Sequence, residues 1–235
     1  MPRQIVLDVN LPDEQTFDTF IVGDNDLLVE QCRQLVSPSE NDGTPFLTFL
    51  AGAEGAGKSH LLVALCHLAA QQNISHFYLS LEPDMPFPAQ ILDDLEKIQL
   101  VCIDNIQHLS HQLDWQEALF DLINRSQETQ GCKLVISANQ GPKNLEFQLA
   151  DLISRLTWGI SFTIQPLDDD LIEKALVLKA KSRGIIIAPE SIRYLISHTR
   201  RDLHSLTQTL ETLELKSLQE KRKLSIPFIK QALDI

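Results

Sequence analysis

The sequence predicts an α/β protein: a parallel sheet covered by helices, followed by a smaller all-helical unit. Three observations predict it. Residues 46–62 read FLTFLAGAEGAGKSHLL, a short apolar run, a glycine-rich turn and an apolar helical pattern. Short apolar runs then alternate with helical stretches as far as Ile164, the pattern of a parallel sheet buried on both faces. From Leu167 only helical patterns remain. The division expected is an extended tail at 1–12, an α/β base at 13–166 and a helical lid at 167–235.

Pro2 and Pro12 bracket the tail, and Ile5, Val6 and Val9 disfavour a helix there. Gly23-Asp24-Asn25 supplies a turn and cap for a helix from about Asp26 to Leu35, and a loop follows. Phe46–Leu50 has the length and β-propensity of a buried strand. The next helix, about Gly57–Gln71, carries Leu61, Leu62, Leu65 and Leu68 on one face. His76–Leu81 is a second strand, the prolines at 83, 86 and 88 mark a loop, and Ala89–Lys97 reads as a short helix. Leu100–Asp104 is a third strand ending in a carboxylate. Asp114–Thr129 is an amphipathic helix with Trp115, Leu119, Leu122 and Ile123 inward. Cys132–Ser137 is a fourth strand, Leu149–Leu156 a short helix and Ser161–Ile164 a fifth strand. Asp168–Asp170 cap a helix to about Ser182, ended by Gly184. Pro189 opens a second helix to about His198, Arg201 to about Lys221 is a third, and Pro227 opens the last.

Gly52-Ala53-Glu54-Gly55-Ala56-Gly57-Lys58-Ser59 matches the phosphate-binding pattern G-x-x-x-x-G-K-[ST] in full. The strand before it and the helix after it are the context that this chemistry needs. Glycines let backbone N–H groups face phosphate oxygens, and the helix N-terminus, with His60 in its first turn, adds positive potential. Lys58 is expected to reach the β- and γ-phosphates and Ser59 to ligate Mg²⁺. Asp104 is the expected second carboxylate, holding Mg²⁺ through water. Asn105 follows it, and an amide cannot act as a base, so slow intrinsic hydrolysis is expected. Asn139, after the fourth strand, is placed to sense the γ-phosphate. Arg155, at the end of a helix, can reach a neighbouring nucleotide site. Arg201, at the start of the third lid helix, can touch the nucleotide from above.

The 235 residues carry a net charge of −12 and are 43% hydrophobic. Residues 1–166 hold 8 Lys and Arg against 22 Asp and Glu, giving −14, whereas 167–235 hold 12 against 10, giving +2. An acidic body repels phosphate backbones, so no direct specific DNA binding is expected. Nucleotide binding survives, because the loop acts through local dipoles. No run approaches the length of a membrane span, no membrane contact is expected, and the N-terminus lacks a signal-peptide plan. Cys32, Cys66, Cys102 and Cys132 lie far apart, which suggests neither zinc nor a disulfide framework and fits a reducing, cytoplasmic setting.

GAGKSHLL, VCIDNI, LADLISRLTWG, FTIQPLDDD and KRKLSIPFIKQAL together make the chain similar, from Gln4 onward, to the Hda family. Hda proteins are small AAA+ relatives of the bacterial replication initiator DnaA. The resemblance implies an ADP-bound (or ATP-bound) Mg²⁺-dependent protein that docks on the DNA-loaded sliding clamp, the β subunit of DNA polymerase III. There it promotes hydrolysis of ATP held by DnaA. Gln4, Leu7 and Val9 then form the clamp-binding peptide, and Arg155 is the finger offered in trans. The same resemblance implies a chain without the basic DNA-binding domain into which DnaA continues. Two departures stand out. His204 replaces the family's lid sensor arginine, leaving that contact to Arg201 or to His204 itself. Val9 replaces a larger residue at the end of the clamp peptide, and each lost CH₂ is worth about 0.8 kcal/mol. A homodimer that hides Arg155 is the self-association this reading allows. The alternative is a self-sufficient AAA+ ATPase of the helicase-loader type acting on single-stranded DNA, against which the acidic body argues. A small-molecule P-loop kinase ranks below both.

Overall fold

All five residues of strand β1 (Leu47–Ala51) are buried. Leu47, Phe49 and Ala51 enter the core on one side of the sheet, and Leu50 enters the core on the other. That two-sided burial is why the run is apolar throughout rather than alternating. The computed structural model describes residues 11–36, 44–129, 131–199 and 203–234, with the side chain of His204 left aside. The expected clamp peptide, Gln4, Leu7 and Val9, and the expected lid cation, Arg201, lie outside the described residues.

Beside β1 run β4 (Lys133–Ala138) and β5 (Ile160–Thr163), and beyond β4 lie β3 (Leu100–Asp104) and β2 (His76–Ser80). The order is β2-β3-β4-β1-β5, and every neighbouring pair is parallel. On one face, Phe49, Ile103 and Ile136 pack against Trp115, Leu119, Leu122 and Ile123 of α3 (Leu113–Thr129) and Leu152 and Leu156 of α4 (Ala150–Leu156). On the other, Leu50, Cys102 and Val135 pack against α1 (Asp26–Leu35) and α2 (Lys58–Gln71). Beyond β5 the chain is helical: α5 (Asp169–Ser182), α6 (Pro189–His198), α7 (Leu203–Glu220) and α8 (Ile226–Leu233). These enclose a third core around Ile172, Leu176, Leu195, Leu210 and Phe228. Asp168 caps α5 by accepting from the Leu171 N–H at 2.8 Å.

Most predicted elements are present, with ends that differ by one or two residues. Ala89–Lys97 is different. It forms two 3-10 turns, Ala89–Leu92 and Leu95–Lys97, because Asp94 between them adopts a left-handed backbone (φ 63°). Burial on α2 also extends beyond the expected leucine face to Val63, Ala64, Cys66 and Ala69. Among the described residues no helix is long and apolar enough to cross a membrane.

Candidate nucleotide-binding site

Between β1 and α2 the chain turns through Gly55 (φ 74°) and Gly57 (φ 99°), both left-handed. Gly57 has a second reason to be glycine: a Cβ there would lie 2.9 Å from Phe20 Cε2. Lys58, the first residue of α2, is 6% exposed. Its ammonium donates to the carbonyls of Gly52 (2.8 Å) and Ala53 (2.9 Å), folding the side chain back over its own loop. Burial lowers the Lys58 pKa, and the nearby Asp104 and Glu54 carboxylates partly offset this. A buried cation held only by backbone carbonyls is suited to exchange them for phosphate oxygens.

Asp104 ends β3 and is fully buried. Both of its oxygens are engaged: the Ser137 hydroxyl donates to Oδ1, and the Tyr78 hydroxyl donates to Oδ2 at 3.1 Å. Burial and the adjacent Asp104 charge push the Tyr78 pKa upward, so the phenol stays a donor. Asn105 takes a left-handed backbone (φ 63°). Its N–H donates to Ser137 Oγ (3.1 Å) and its amide to Ser80 Oγ (3.3 Å). Gln107 spans from there to the loop after β4, donating to Asn105 Oδ1 (3.3 Å) and accepting from the Asn139 N–H (3.2 Å).

A cavity of about 320 Å³ opens over the loop, between the sheet domain and the helical unit. The stretch Glu54–His60, with Asn105, forms its floor. Glu14, Thr19, Phe20 and Ile21 form one wall. Leu178, Lys179 and Ser182 of α5 and Thr207 of α7 form the roof. His60 ties floor to wall, donating from Nε2 to the Thr16 carbonyl at 2.8 Å with Thr19 Oγ1 at 3.3 Å. Of the residues expected at the nucleotide, Glu54, Gly55, Ala56, Gly57, Lys58, Ser59 and His60 line this space. Gly52, Ala53, Asp104 and Asn139 do not, although Asp104 acts electrostatically on Lys58.

The residues present fit a magnesium nucleotide. Among the described residues no group of three or more His, Cys, Asp or Glu could hold a metal alone. A Mg²⁺ ion here would rely on Ser59, Asp104, water and the phosphates themselves, the usual arrangement for this cation.

Arg155 stands apart from the cavity. It is half-buried near the end of α4, with Nε donating to Asn124 Oδ1 at 2.6 Å. Its guanidinium carbon lies 3.7 Å from the Trp158 ring centroid and 5.3 Å from that of Phe120. Among the described residues neither Nη atom makes a hydrogen bond. The helix that carries it is itself anchored by the buried Gln116. That side chain accepts from the N–H groups of Gln148 (2.9 Å) and Leu149 (3.0 Å), just before α4, and donates to the Leu109 carbonyl (2.7 Å). Sequence reasoning missed Tyr78, Ser137, Gln107, Gln116 and Lys179. The alternation of β2 and β4 was the available signal for the first and second of these; the others meet their partners only through the fold.

A glycine loop between strand and helix, a buried carboxylate ending the next-but-one strand and a helical roof define a P-loop protein of the AAA+ class. Residues 11–163 match the family model for the bacterial DnaA ATPase domain, and residues 168–233 match that for the Hda lid domain. The chain thus belongs to the DnaA ATPase-domain family, a replication-related AAA+ family, and carries a lid of the Hda kind. Domain III of DnaA from Thermotoga maritima superposes with a TM-score of 0.80 at 19% identity, covering 95% of this chain and 97% of that one. AMPPCP-bound DnaA from Aquifex aeolicus gives 0.68 at 23% identity, covering 89% of this chain and 68% of that one. The RuvB Holliday junction branch migration motor of Thermotoga maritima gives 0.67 at 16% identity, covering 95% of this chain and 72% of that one. Likeness at these identities carries the fold alone.

Proposed function

We propose that this chain is a negative regulator of replication initiation, a nucleotide-bound protein that completes the ATPase site of DnaA. The observation that carries this reading is the setting of Arg155. It lies outside the chain's own cavity, braced by Asn124 and Trp158, with both Nη atoms unbonded among the described residues. A guanidinium held that way is suited to charge that develops on a neighbour's phosphates. Asn105 supports the same reading, because an amide beside Asp104 leaves the chain's own site without a base.

In this account residues 13–166 are the base and 167–235 the lid. The loop Gly52–His60, with Asp104, Asn139 and Arg201, holds ADP, and Ser59 and Asp104 hold Mg²⁺ through direct and water-mediated contacts. The bound nucleotide supplies charge that draws lid and base together. The solved DnaA structure from Aquifex aeolicus is AMPPCP-bound, which supports a nucleotide in this chain's cavity. Lys58 exchanges its loop carbonyls for phosphate, and Tyr78 and Ser137 fix the orientation of Asp104. Gln4, Leu7 and Val9 dock on the DNA-loaded sliding clamp, which brings Arg155 to DnaA.

The test is ATP turnover by purified DnaA with this protein, with and without clamp loaded on DNA. Acceleration that requires the loaded clamp and disappears with Gln4→Ala and with Arg155→Ala is the expected result. Retained acceleration by clamp-bound Arg155→Ala overturns the finger role. Robust ATP turnover by this protein alone, without acceleration of DnaA, shifts the reading to a self-sufficient ATPase.

A further inference from the structure

We infer that Lys179, on the inner face of α5, is a phosphate-reading residue of the lid, so that the cavity recognises the charge of a nucleoside diphosphate from above as well as through Lys58 from below. The inference rests on the nucleotide reading of the cavity and adds a residue to it.

Lys179 lines the cavity opposite the loop, with Ser182 one turn further along the same helix. Among the described residues its ammonium makes no hydrogen bond or ion pair. Two carboxylates attract it, Glu14 and Glu211, but both are bridged by its neighbour Arg183, at 3.3 Å and 2.8 Å. Arg183 also reaches Glu214 at 3.6 Å. The local acids are thus engaged by the arginine, and the lysine lines the cavity without a partner among the described residues. Burial lowers its pKa, as expected for a cation partly withdrawn from water. Lys179 and His60, in the first turn of α2, line the same cavity, and the charge of the lysine is felt by the imidazole. Its position on α5 supplies a cation from the roof independently of α7.

The test is calorimetric titration of the full chain with ADP and Mg²⁺. Lys179→Gln is expected to weaken ADP about tenfold, the effect of one charge-assisted hydrogen bond, with Lys179→Arg close to wild type. Lys181→Gln, the same charge loss on the exposed side of α5, should leave affinity unchanged. The melting temperature of the nucleotide-free protein separates binding from support: if Lys179 reads phosphate, Lys179→Gln melts with Lys181→Gln when no ADP is present. Two results overturn the inference. One is ADP affinity in Lys179→Gln equal to wild type; the other is a melting temperature of nucleotide-free Lys179→Gln well below that of Lys181→Gln, which makes the lysine a strut. Absence of ADP binding by the wild type, or unchanged binding in Lys58→Ala, instead overturns the nucleotide reading on which the inference stands.

Discussion

The Arg155 guanidinium carbon sits 3.7 Å from the centroid of the Trp158 ring, and the ring is 42% exposed. A cation over an indole face loses freedom without losing charge, and such contacts are worth about 0.5–1 kcal/mol at exposed sites. Trp158→Ala should therefore lower clamp-dependent stimulation of DnaA hydrolysis about two- to fivefold. ADP binding by this chain should be unchanged. Arg155→Ala should abolish stimulation. Phosphate release by DnaA, measured alongside ADP titration, checks both.

The residue after that tryptophan permits no side chain. A Cβ on Gly159 would lie 2.0 Å from the Leu47 carbonyl oxygen and 2.6 Å from its carbon. Backbone of an interior strand, held by β4 on one side and β5 on the other, cannot yield as a side-chain tip can. Gly159→Ala should cost about 3 kcal/mol or more, read as a lower urea midpoint.

Gln116 satisfies backbone groups on two separate stretches. Gln116→Leu keeps volume but leaves the N–H groups before α4 without their acceptor and removes one of the two donors to the Leu109 carbonyl, the Gln112 N–H remaining. A loss of about 2–4 kcal/mol is expected in urea unfolding. Because α4 carries Arg155, stimulation of DnaA should fall further than ADP affinity.

His60 provides a pH dependence with a definite sign. Burial holds its pKa below the ordinary 6.5, with the Thr16 carbonyl bond opposing in part. The unfolded chain therefore binds the proton more readily than the folded one. The stability from neutral His60 is complete above about pH 6.5 and is lost as pH falls through the folded pKa. Thermal melts between pH 7.5 and 5 should show a steeper loss for wild type than for His60→Gln. Equal slopes would remove His60 from the account.

The cysteines should be silent. All four are buried, and burial pushes Cys32 up to about 12 and Cys132 to about 11. A thiol-exchange reagent at pH 8 should label none of them in the native protein and all of them in guanidinium.

The strands, most of the helices and the phosphate loop were legible in the sequence because each rests on local chemistry: apolar runs, glycine spacing, caps. Asp104 was legible because a carboxylate ending an apolar strand is conspicuous. Ala89–Lys97 was misread as a helix, since nothing in its composition announces the left-handed Asp94 that splits it. The site's supports were hidden for a different reason. Tyr78 meets Asp104 across two neighbouring strands, and Asn124 meets Arg155 across 31 positions. Lys179 reads as one of several surface charges until α5 is laid over the loop.

Arg183 has a practical consequence for anyone shortening this chain. Its bridge to Glu14, and the bond from His67 to the Pro12 carbonyl at 3.1 Å, make the segment from residue 12 to residue 20 a strap that fastens the helical unit to the sheet domain. Removing residues 1–10 deletes the expected clamp peptide and leaves the strap whole. Removing ten more unfastens the lid as well, and a defect measured on that shorter protein would report a loosened hinge as readily as a missing docking peptide.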